Sequence, residues 1–496
     1  MLLRSVRVDG MVVDVRIADG LVAEIAPALP DDGTEVVSGG GAVLLPGLHD
    51  EHVHLAQWAA ARRRVDLSPA RSAAAAAELL AAAAATQEVS DADDLLVGHG
   101  FRDALWSDPA HRDVLDARVP ETAVVAISQD LHCTWVNSAA AQRFGISEES
   151  GVLREGPAME LISAVRTVGE EVQDLWVLAA TDAAAARGVT SVVDLEYAPL
   201  TDWVRRCAVQ VPGFRVRVGV WTDFLDDVVR LGLRSGDALP GVSGTAEDRV
   251  RLGPLKLVLD GSLGTRTAFC HDPYPGSTPA GAHGMRRMSA LDLETMLRRA
   301  ADTGLDVAVH AIGDAAVTAA LDGFAAVPGA PGRTRRIEHA QQVGAGDLAR
   351  FAALGVTASV QPRHAVDDRD LSEVHWAAGL DRAYPYAALL AAGADVVLGS
   401  DAPVAPLDPW DAIASAIHRT VDDRPAWRPE QHLSLQQALA AASGGRRRVA
   451  VGDVADLVLL EREPAEVFAA GGAEALRHTA VLATLLGGEF THRTRW

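Results

Sequence analysis

The fold is indicated by the run Leu255-Lys256-Leu257-Val258-Leu259 and by four similar apolar runs that follow it: Val307 to His310, Arg335 to Glu338, Thr357 to Gln361 and Asp395 to Gly399. Segments of helical period, rich in Ala, Leu and Arg, separate these runs. Strands that alternate with helices in this way are typical of a parallel sheet wrapped by helices. Two earlier runs, Ser191 to Leu195 and Arg215 to Val220, extend the series. The spacing predicts an α/β barrel.

The two ends of the chain have a different pattern. Residues 1–46 are short alternating runs broken by Asp-Gly and Gly-Gly-Gly, and Gly452 to Leu460 has the same style. Such runs predict strands joined by turns. We expect residues 1–46 and 440–496 to pair into one small β domain and residues 47–439 to form the barrel domain.

One connection within the expected barrel is unusually long. Residues 91–180 exceed what a single strand-to-strand connection needs, and we expect an insertion over the barrel mouth, where loops carry specificity. The Ala- and Leu-rich segment Ser72 to Thr86 is too short to span a bilayer and is interpreted as a barrel helix.

Composition limits the classes of function. The chain has 496 residues, 49% of them hydrophobic, and a formal net charge of −22, which favours a soluble enzyme with a small-molecule substrate. The same charge argues against nucleic acid and anionic membranes as partners. Met1 to Gly20 lacks the apolar block of a signal peptide, so we expect a cytoplasmic protein. The sequence does not decide the oligomeric state, and a homodimer is one possibility.

Lys256 is the single lysine among 45 basic residues. Arginine stays charged and is a poor nucleophile, whereas a lysine amine can lose its proton, act as a base or be carboxylated by carbon dioxide. Lys256 also lies inside an apolar strand, where an unpaired ammonium would be costly. We therefore expect a chemical role, with an ordinary salt bridge to Asp260 as the alternative.

Histidines mark the ends of three expected strands. His52 and His54 in His49-Asp50-Glu51-His52-Val53-His54 follow the apolar run Ala42 to Leu45, and residues i and i+2 of a strand face the same side. His310 and His339 each close a later run, where a barrel presents its reactive groups. Any one of them alone could be an ordinary core histidine, but together they predict a shared metal site.

Asp401 follows the last expected strand, in Val396-Val397-Leu398-Gly399-Ser400-Asp401. A carboxylate there can bind the metal and accept a proton from its bound water, although it could instead cap a helix beginning at Ala402-Pro403. The combined nitrogen and oxygen donors suit zinc or another borderline divalent ion. We expect one or two ions.

With these motifs the sequence resembles the amidohydrolase superfamily, and more narrowly the branch that includes the N-substituted formamide deformylases. The resemblance covers nearly the whole chain. Besides the metal motifs, it is carried by Gly98-His99-Gly100-Phe101-Arg102-Asp103, Trp135-Val136-Asn137-Ser138, Asp260-Gly261-Ser262-Leu263-Gly264-Thr265-Arg266, Gln361-Pro362-Arg363-His364 and Leu407-Asp408-Pro409-Trp410.

The resemblance implies an α/β fold with a TIM-type (β/α)8 barrel and a small β-sandwich built from both chain ends. It also implies metal-dependent hydrolysis of an amide or similar C–N bond. It assigns His52, His54, Lys256, His310, His339 and Asp401 to the metal, with Lys256 N6-carboxylated if it bridges two ions. His132, Asn137, Asp260, Gln361 and His364 are implied as substrate-binding residues.

In the mechanism we expect, Asp401 accepts a proton from metal-activated water and later returns it to the leaving nitrogen, while His132 or His364 helps to hold the oxyanion. Deamination of a ring or cleavage of an ester on the same scaffold is the nearest alternative. A non-catalytic binding protein and a Schiff-base enzyme that uses Lys256 are the others.

Overall fold

The computed structural model describes residues 1–86, 95–165, 169–277 and 281–494. Residues 91–94 and 166–168 of the expected insertion lie outside the described residues. The strands, in chain order, are β1 (Leu2–Val8), β2 (Met11–Ala18), β3 (Leu21–Ala26), β4 (Val36–Ser38), β5 (Val43–Pro46), β6 (Leu48–Val53), β7 (Val65–Asp66), β8 (Leu95–Phe101), β9 (Ala123–Ser128), β10 (Cys133–Val136), β11 (Val152–Arg154), β12 (Val189–Asp194), β13 (Arg215–Trp221), β14 (Val250–Val258), β15 (Val307–Ala311), β16 (Arg335–His339), β17 (Val356–Val360), β18 (Val396–Leu398), β19 (Leu457–Leu460), β20 (Val481–Leu486) and β21 (Glu489–Arg493).

The α-helices of the described residues follow the same chain order. They are α1 (Leu55–Ala61), α2 (Ala73–Thr86), α3 (Arg112–Asp116), α4 (Ser138–Phe144), α5 (Gly156–Ala164), α6 (Glu170–Ala185), α7 (Thr201–Val209), α8 (Leu225–Leu231), α9 (Thr245–Arg249), α10 (Ala290–Thr303), α11 (Asp314–Ala326), α12 (Ala345–Leu354), α13 (Pro362–Asp367), α14 (Arg369–His375), α15 (Tyr386–Ala391), α16 (Pro409–Ile417), α17 (Leu435–Ala441) and α18 (Pro464–Arg477). Within these residues, no helix combines the length and the apolar character that crossing a membrane requires.

Eight parallel strands form the predicted barrel, in the order β18-β17-β16-β15-β14-β13-β12-β6. Its ends meet where Val53 bridges Ala402, because Asp401 N donates to His52 O at 2.7 Å and His54 N donates to Ala402 O at 2.8 Å. The approach is close: a Cβ on Gly399 would lie 2.8 Å from His52 N. Glycine is therefore required at the seam between β18 and β6.

The two chain ends pair as predicted, in one eight-stranded sheet. Its main path is β21-β20-β19-β5-β1-β2-β3, with β4 paired to β1, and the antiparallel pair β19–β5 joins the two ends. Val43 to Leu45 of the apolar run Ala42 to Leu45 lie in β5 of this sheet, inside the terminal segment expected for residues 1–46. The barrel strand is β6, which carries His52 itself. A separate sandwich, and the domain boundaries, stay predictions.

A third sheet is inserted between barrel strands β6 and β12. Its order is β11-β10-β9-β8-β7. Helix α2 packs on this sheet, since Ala76 and Leu80 share an apolar core with Leu96 and Trp135. The interpretation of this segment as a barrel helix is therefore wrong: its small alanine side chains fit against β7 and β8, and the inserted unit begins before residue 91.

The ion pair between Arg215 and Asp456 connects the barrel to the terminal sheet. Arg215 on β13 donates to both carboxylate oxygens of Asp456, at 2.6 and 3.0 Å, and Gly487 N donates to the same carboxylate at 2.7 Å. Asp456 is buried, whereas Arg215 remains partly exposed. Three donors therefore depend on one carboxylate.

We expect Asp456→Ala to lower the free energy of unfolding by about 1–3 kcal/mol, because it leaves the guanidinium and an amide without their acceptor. Urea titration followed by circular dichroism measures the change. The matched control is Asp248→Ala, whose side chain is 77% exposed in its pair with Arg251. An equal effect of the two substitutions would contradict the role of Asp456.

Candidate metal centre and active site

Six side chains at one mouth of the barrel line the same cavity: His52, His54, Lys256, His310, His339 and Asp401. They come from the ends of β6, β14, β15 and β16 and from the segments that follow β6 and β18. Ligand atoms of His52, His339 and Asp401 all lie within 4.8 Å of one another, which makes this trio a possible metal site. The parallel strands bring these residues together because their carboxyl ends meet at the same edge of the barrel.

Asp401 lies at the centre of the group. Its Oδ1 is 3.3 Å from Nε2 of His52 and 3.3 Å from Nε2 of His54, and its Oδ2 is 3.8 Å from Nε2 of His364. Burial disfavours the carboxylate, but His52 and His54 outweigh burial and hold the pKa of Asp401 well below its usual value. The alternative of a helix cap is wrong, since the next helix, α16, begins only at Pro409.

The backbone at two of these positions is strained. Asp401 has φ = 59° and His339 has φ = 73°, in the left-handed region that residues with a Cβ rarely adopt. Backbone strain of this kind clusters at functional sites, where the surrounding structure compensates for it. At Asp401 the hydrogen bond to His52 O holds the chain in place.

Lys256 is buried in β14, with Nζ 3.4 Å from Nε2 of His52. Burial lowers the pKa of its amine to about 8. The alternative of a salt bridge with Asp260 is wrong: that carboxylate accepts hydrogen bonds from the backbone N–H groups of Phe269, Ile312 and Gly313, each at 2.9 to 3.0 Å. Asp260 therefore orders the backbone that follows β15.

The histidines on neighbouring strands β15 and β16 are packed together. The rings of His310 and His339 have centroids 4.4 Å apart. Burial, and then the proximity of His310, lower the pKa of His339 well below its usual value, so its ring is neutral. His339 Nδ1 is buried and has no hydrogen-bond partner among the described residues. A neutral, unpaired nitrogen in this position fits a metal ligand.

Glu338 is a site residue that the sequence analysis missed. It is fully buried, and its Oε2 accepts a hydrogen bond from Nδ1 of His52 at 2.7 Å. Arg336 binds the other oxygen of Glu338 and also bridges to Glu51. Because Nδ1 of His52 is held by Glu338, Nε2 is the nitrogen left to face Asp401. The only signal in the sequence was a carboxylate directly before His339.

Two cavities meet at three of the six side chains, His310, His339 and Asp401. The larger, of about 670 Å³, extends over α1, α5 and α6, and the smaller, of about 100 Å³, extends towards β8, α13 and α14. Both are bordered by His310, His339 and Asp401 from the barrel and by Asp130 and His132 from the inserted segment. A ligand bound at the centre could therefore extend into two cavities of different volume.

The residues expected to bind substrate separate into two groups. His132 borders both cavities and His364 borders the smaller one. Asn137, Gln361 and Asp260 border neither cavity.

Asn137 has a structural role instead, because its amide makes four hydrogen bonds, to Val119 O, Thr122 O, Val124 N and Ala140 N. It caps α4. Gln361 Nε2 donates to Ser359 O, within the same strand end. Asp260 Oδ1 also lies 3.4 Å from Nε2 of His310. The substrate-binding role expected for Asn137, Gln361 and Asp260 stays a prediction.

Comparison of the sequence and of the fold with known proteins also supports a metal-dependent hydrolase. The pattern of the amidohydrolase family matches residues 35–492. The protein LONG AFTER FAR-RED 3 of Arabidopsis thaliana is 30% identical over 511 residues, which cover 92% of this chain and 84% of that protein. N-substituted formamide deformylase of Arthrobacter pascens is 24% identical, covering 95% of this chain and 92% of that protein.

Among solved structures, an uncharacterized metal-dependent hydrolase from Pyrococcus horikoshii OT3 aligns with a TM-score of 0.74 and 23% identity, covering 93% of this chain and 97% of that one. This likeness confirms the fold. The match to the family pattern spans nearly the whole chain and confirms the resemblance that the sequence indicated. The chain therefore belongs to the amidohydrolase family and is a hydrolase.

Proposed function

We propose that the chain hydrolyses the C–N bond of a small-molecule amide with a small acyl group, such as an N-substituted formamide. The observation that carries this proposal is the position of Asp401, whose Oδ1 lies 3.3 Å from two imidazole nitrogens while the residue borders both cavities. That position suits a carboxylate that is both metal ligand and proton acceptor.

The residues present fit a divalent metal, for which zinc is our proposal. His52, His54, His310, His339 and Asp401 would hold it, and donors of nitrogen and oxygen without thiolate suit zinc. Bound there, the ion would lower the pKa of a water ligand towards neutrality and polarise the substrate carbonyl. The unpaired Nδ1 of His339 supports this occupancy.

Lys256 would join the site in carboxylated form if two ions bind. Its buried amine has a pKa of about 8, so a neutral fraction is available near pH 7 to attack carbon dioxide. A new N–C bond forms, the amine loses a proton, and the product carries a carboxylate beside His52. Two oxygens in that position would serve two ions, whereas a free lysine would leave one.

Asp401 would carry the proton through the reaction. Its carboxylate is ionised at neutral pH, and Oδ2 is the oxygen that does not face His52 and His54. Oδ2 would accept a proton from the attacking water and deliver it to the nitrogen as the C–N bond breaks and the electron pair moves to that nitrogen. His364 lies 3.8 Å away and would steady Oδ2.

The two cavities support the proposed substrate class. The smaller one, of about 100 Å³, suits a small acyl group. The larger one, of about 670 Å³, has Met159, Trp176, Tyr197 and Trp221 among its walls and suits a bulky apolar substituent on nitrogen. A cytoplasmic location and a homodimer remain predictions.

The metal content of the purified protein tests the centre itself. We expect either one ion per chain with a free Lys256 or two ions with a carboxylated Lys256, measured by elemental analysis and by carbon-13 spectroscopy after exposure to labelled carbon dioxide. Chelation should abolish activity and zinc should restore it. One ion with a free lysine would support a mononuclear site, and a metal-free active protein would refute the metal-dependent proposal.

Asp401→Asn should lower kcat by more than about 100-fold with metal retained, because the amide cannot accept the proton. Activity is measured on a panel of formamides, larger amides, an ester and an aminated ring. Asp395→Asn, which is an exposed change just before β18, is the matched control. Near-normal turnover by Asp401→Asn would contradict the proton-transfer role, and a preference for the ester or the ring would contradict the amide.

Glu338→Gln should weaken metal binding by about 10–100-fold, because the acceptor that orients His52 loses its charge. Competition with a coloured chelator measures the dissociation constant, and circular dichroism checks that the variant is folded. Glu466→Gln, at an exposed position, is the control. Unchanged metal affinity in folded Glu338→Gln would show that Glu338 does not act through His52.

A further inference from the structure

His132 lies where the inserted segment meets the metal centre. It follows β9 and borders both cavities at their junction, together with His310, His339 and Asp401. Asp130, the other polar residue of the inserted segment there, is occupied, since it accepts hydrogen bonds from Ser128 Oγ at 2.6 Å and from His132 N at 3.1 Å. At the junction of the two cavities, His132 is therefore the residue of the inserted segment whose side chain can still donate a hydrogen bond to a ligand.

The two ring nitrogens of His132 have different surroundings. Nδ1 lies 3.1 Å from Oε2 of Glu155. Nε2 makes no hydrogen bond within the described part of the chain, and the residue borders the cavities. Because the Glu155 carboxylate accepts the hydrogen bond from Nδ1, the donor available to a ligand is Nε2 of the doubly protonated ring.

Glu155 is itself held from the opposite side of the junction. Its carboxylate accepts hydrogen bonds from Thr265, from Thr267 Oγ1 at 2.6 Å and from Arg287. These three residues belong to the barrel loop between β14 and α10, whereas Glu155 follows β11 of the inserted sheet. The backbone N–H of Glu155 also donates to His132 O at 2.8 Å. The pair is therefore fixed on both the inserted sheet and the barrel.

Glu155 favours the protonated form of the His132 ring. Burial disfavours a charged ring, but the hydrogen bond with Glu155 outweighs it and raises the pKa of His132. Burial likewise opposes the charge on Glu155, yet His132 and the two threonines keep its pKa below the usual value. When both ring nitrogens carry protons, His132 is a charged donor, and a charge-assisted hydrogen bond to a developing negative charge is stronger than a neutral one.

We propose that His132 is a catalytic residue that donates a hydrogen bond from Nε2 to the carbonyl oxygen of the substrate as that oxygen gains negative charge, with Glu155 as its positioning residue. This inference rests on the proposed function and deepens it. In this proposal the barrel supplies the metal ligands and Asp401, and the inserted segment supplies His132 as the hydrogen-bond donor. His364, 3.8 Å from Asp401, serves the carboxylate instead.

The test compares His132→Gln, Glu155→Gln and the double variant on the best amide of the panel. His132→Gln should lower kcat by about 100-fold or more, with little change in KM, as expected for a lost oxyanion donor. Glu155→Gln should lower kcat by at least about 10-fold, because an uncharged hydrogen bond is weaker than a charge-assisted one. The double variant should fall no further than His132→Gln, since Glu155 acts through His132.

Glu149→Gln, an exposed change in the same segment, is the matched control and should retain activity. Metal content and melting temperature are measured for every variant, so that a merely structural effect is visible. Should His132→Gln fail to fold, the nearly isosteric Glu155→Gln decides through its kcat and KM.

The experiment distinguishes a failure of the His132 inference from a failure of the proposed amide hydrolysis. Wild-type kcat in folded, metal-loaded His132→Gln, or independent losses in the double variant, would overturn this inference and leave the proposed function intact. A wild-type enzyme that is inactive on every amide would overturn both.

Discussion

Two backbone hydrogen bonds across one seam support both the fold and the site. Asp401 N donates to His52 O, and His54 N donates to Ala402 O, so the last strand of the barrel is joined to the first. The same bonds bring the carboxylate of Asp401 within 3.3 Å of both histidines. The contacts that close the barrel therefore also position residues of the centre, and Gly399 is required because a Cβ there would collide with His52.

A chain of polar side chains lies below this seam, although barrel interiors are usually filled by branched apolar side chains. Buried charges are tolerated only when they are paired and hydrogen-bonded. Here His52, Glu338, Arg336 and Glu51 form one connected chain from the mouth into the barrel. The chain fixes the orientation of the His52 ring, so the buried charges serve the centre rather than stability alone.

The inserted sheet completes the cavity walls that the barrel lacks. It supplies Asp130 and His132 at the junction of the two cavities, and Glu155 anchors it to the barrel loop that carries Thr267 and Arg287. A change in the inserted segment could therefore alter the cavity without disturbing the barrel centre, because loops over the mouth are freer to vary than strands that must pair.

The sequence by itself determined the barrel, since apolar runs and helical segments between residues 191 and 399 are local signals of strand and helix. It also singled out the six side chains that border one cavity, because each belongs to a strand end or follows one. Local pattern misplaced α2, since an apolar helix can pack against a barrel sheet or against an inserted sheet equally well.

Only the tertiary structure decided which distant residues meet. Glu338 reaches His52 across 286 positions of sequence, and no local pattern encodes that contact. Asn137 looked like a substrate ligand, but its four backbone partners lie inside the inserted unit. The physical reason is that local periodicity fixes which face of an element is apolar, whereas the partner of a buried polar group depends on how separate elements pack.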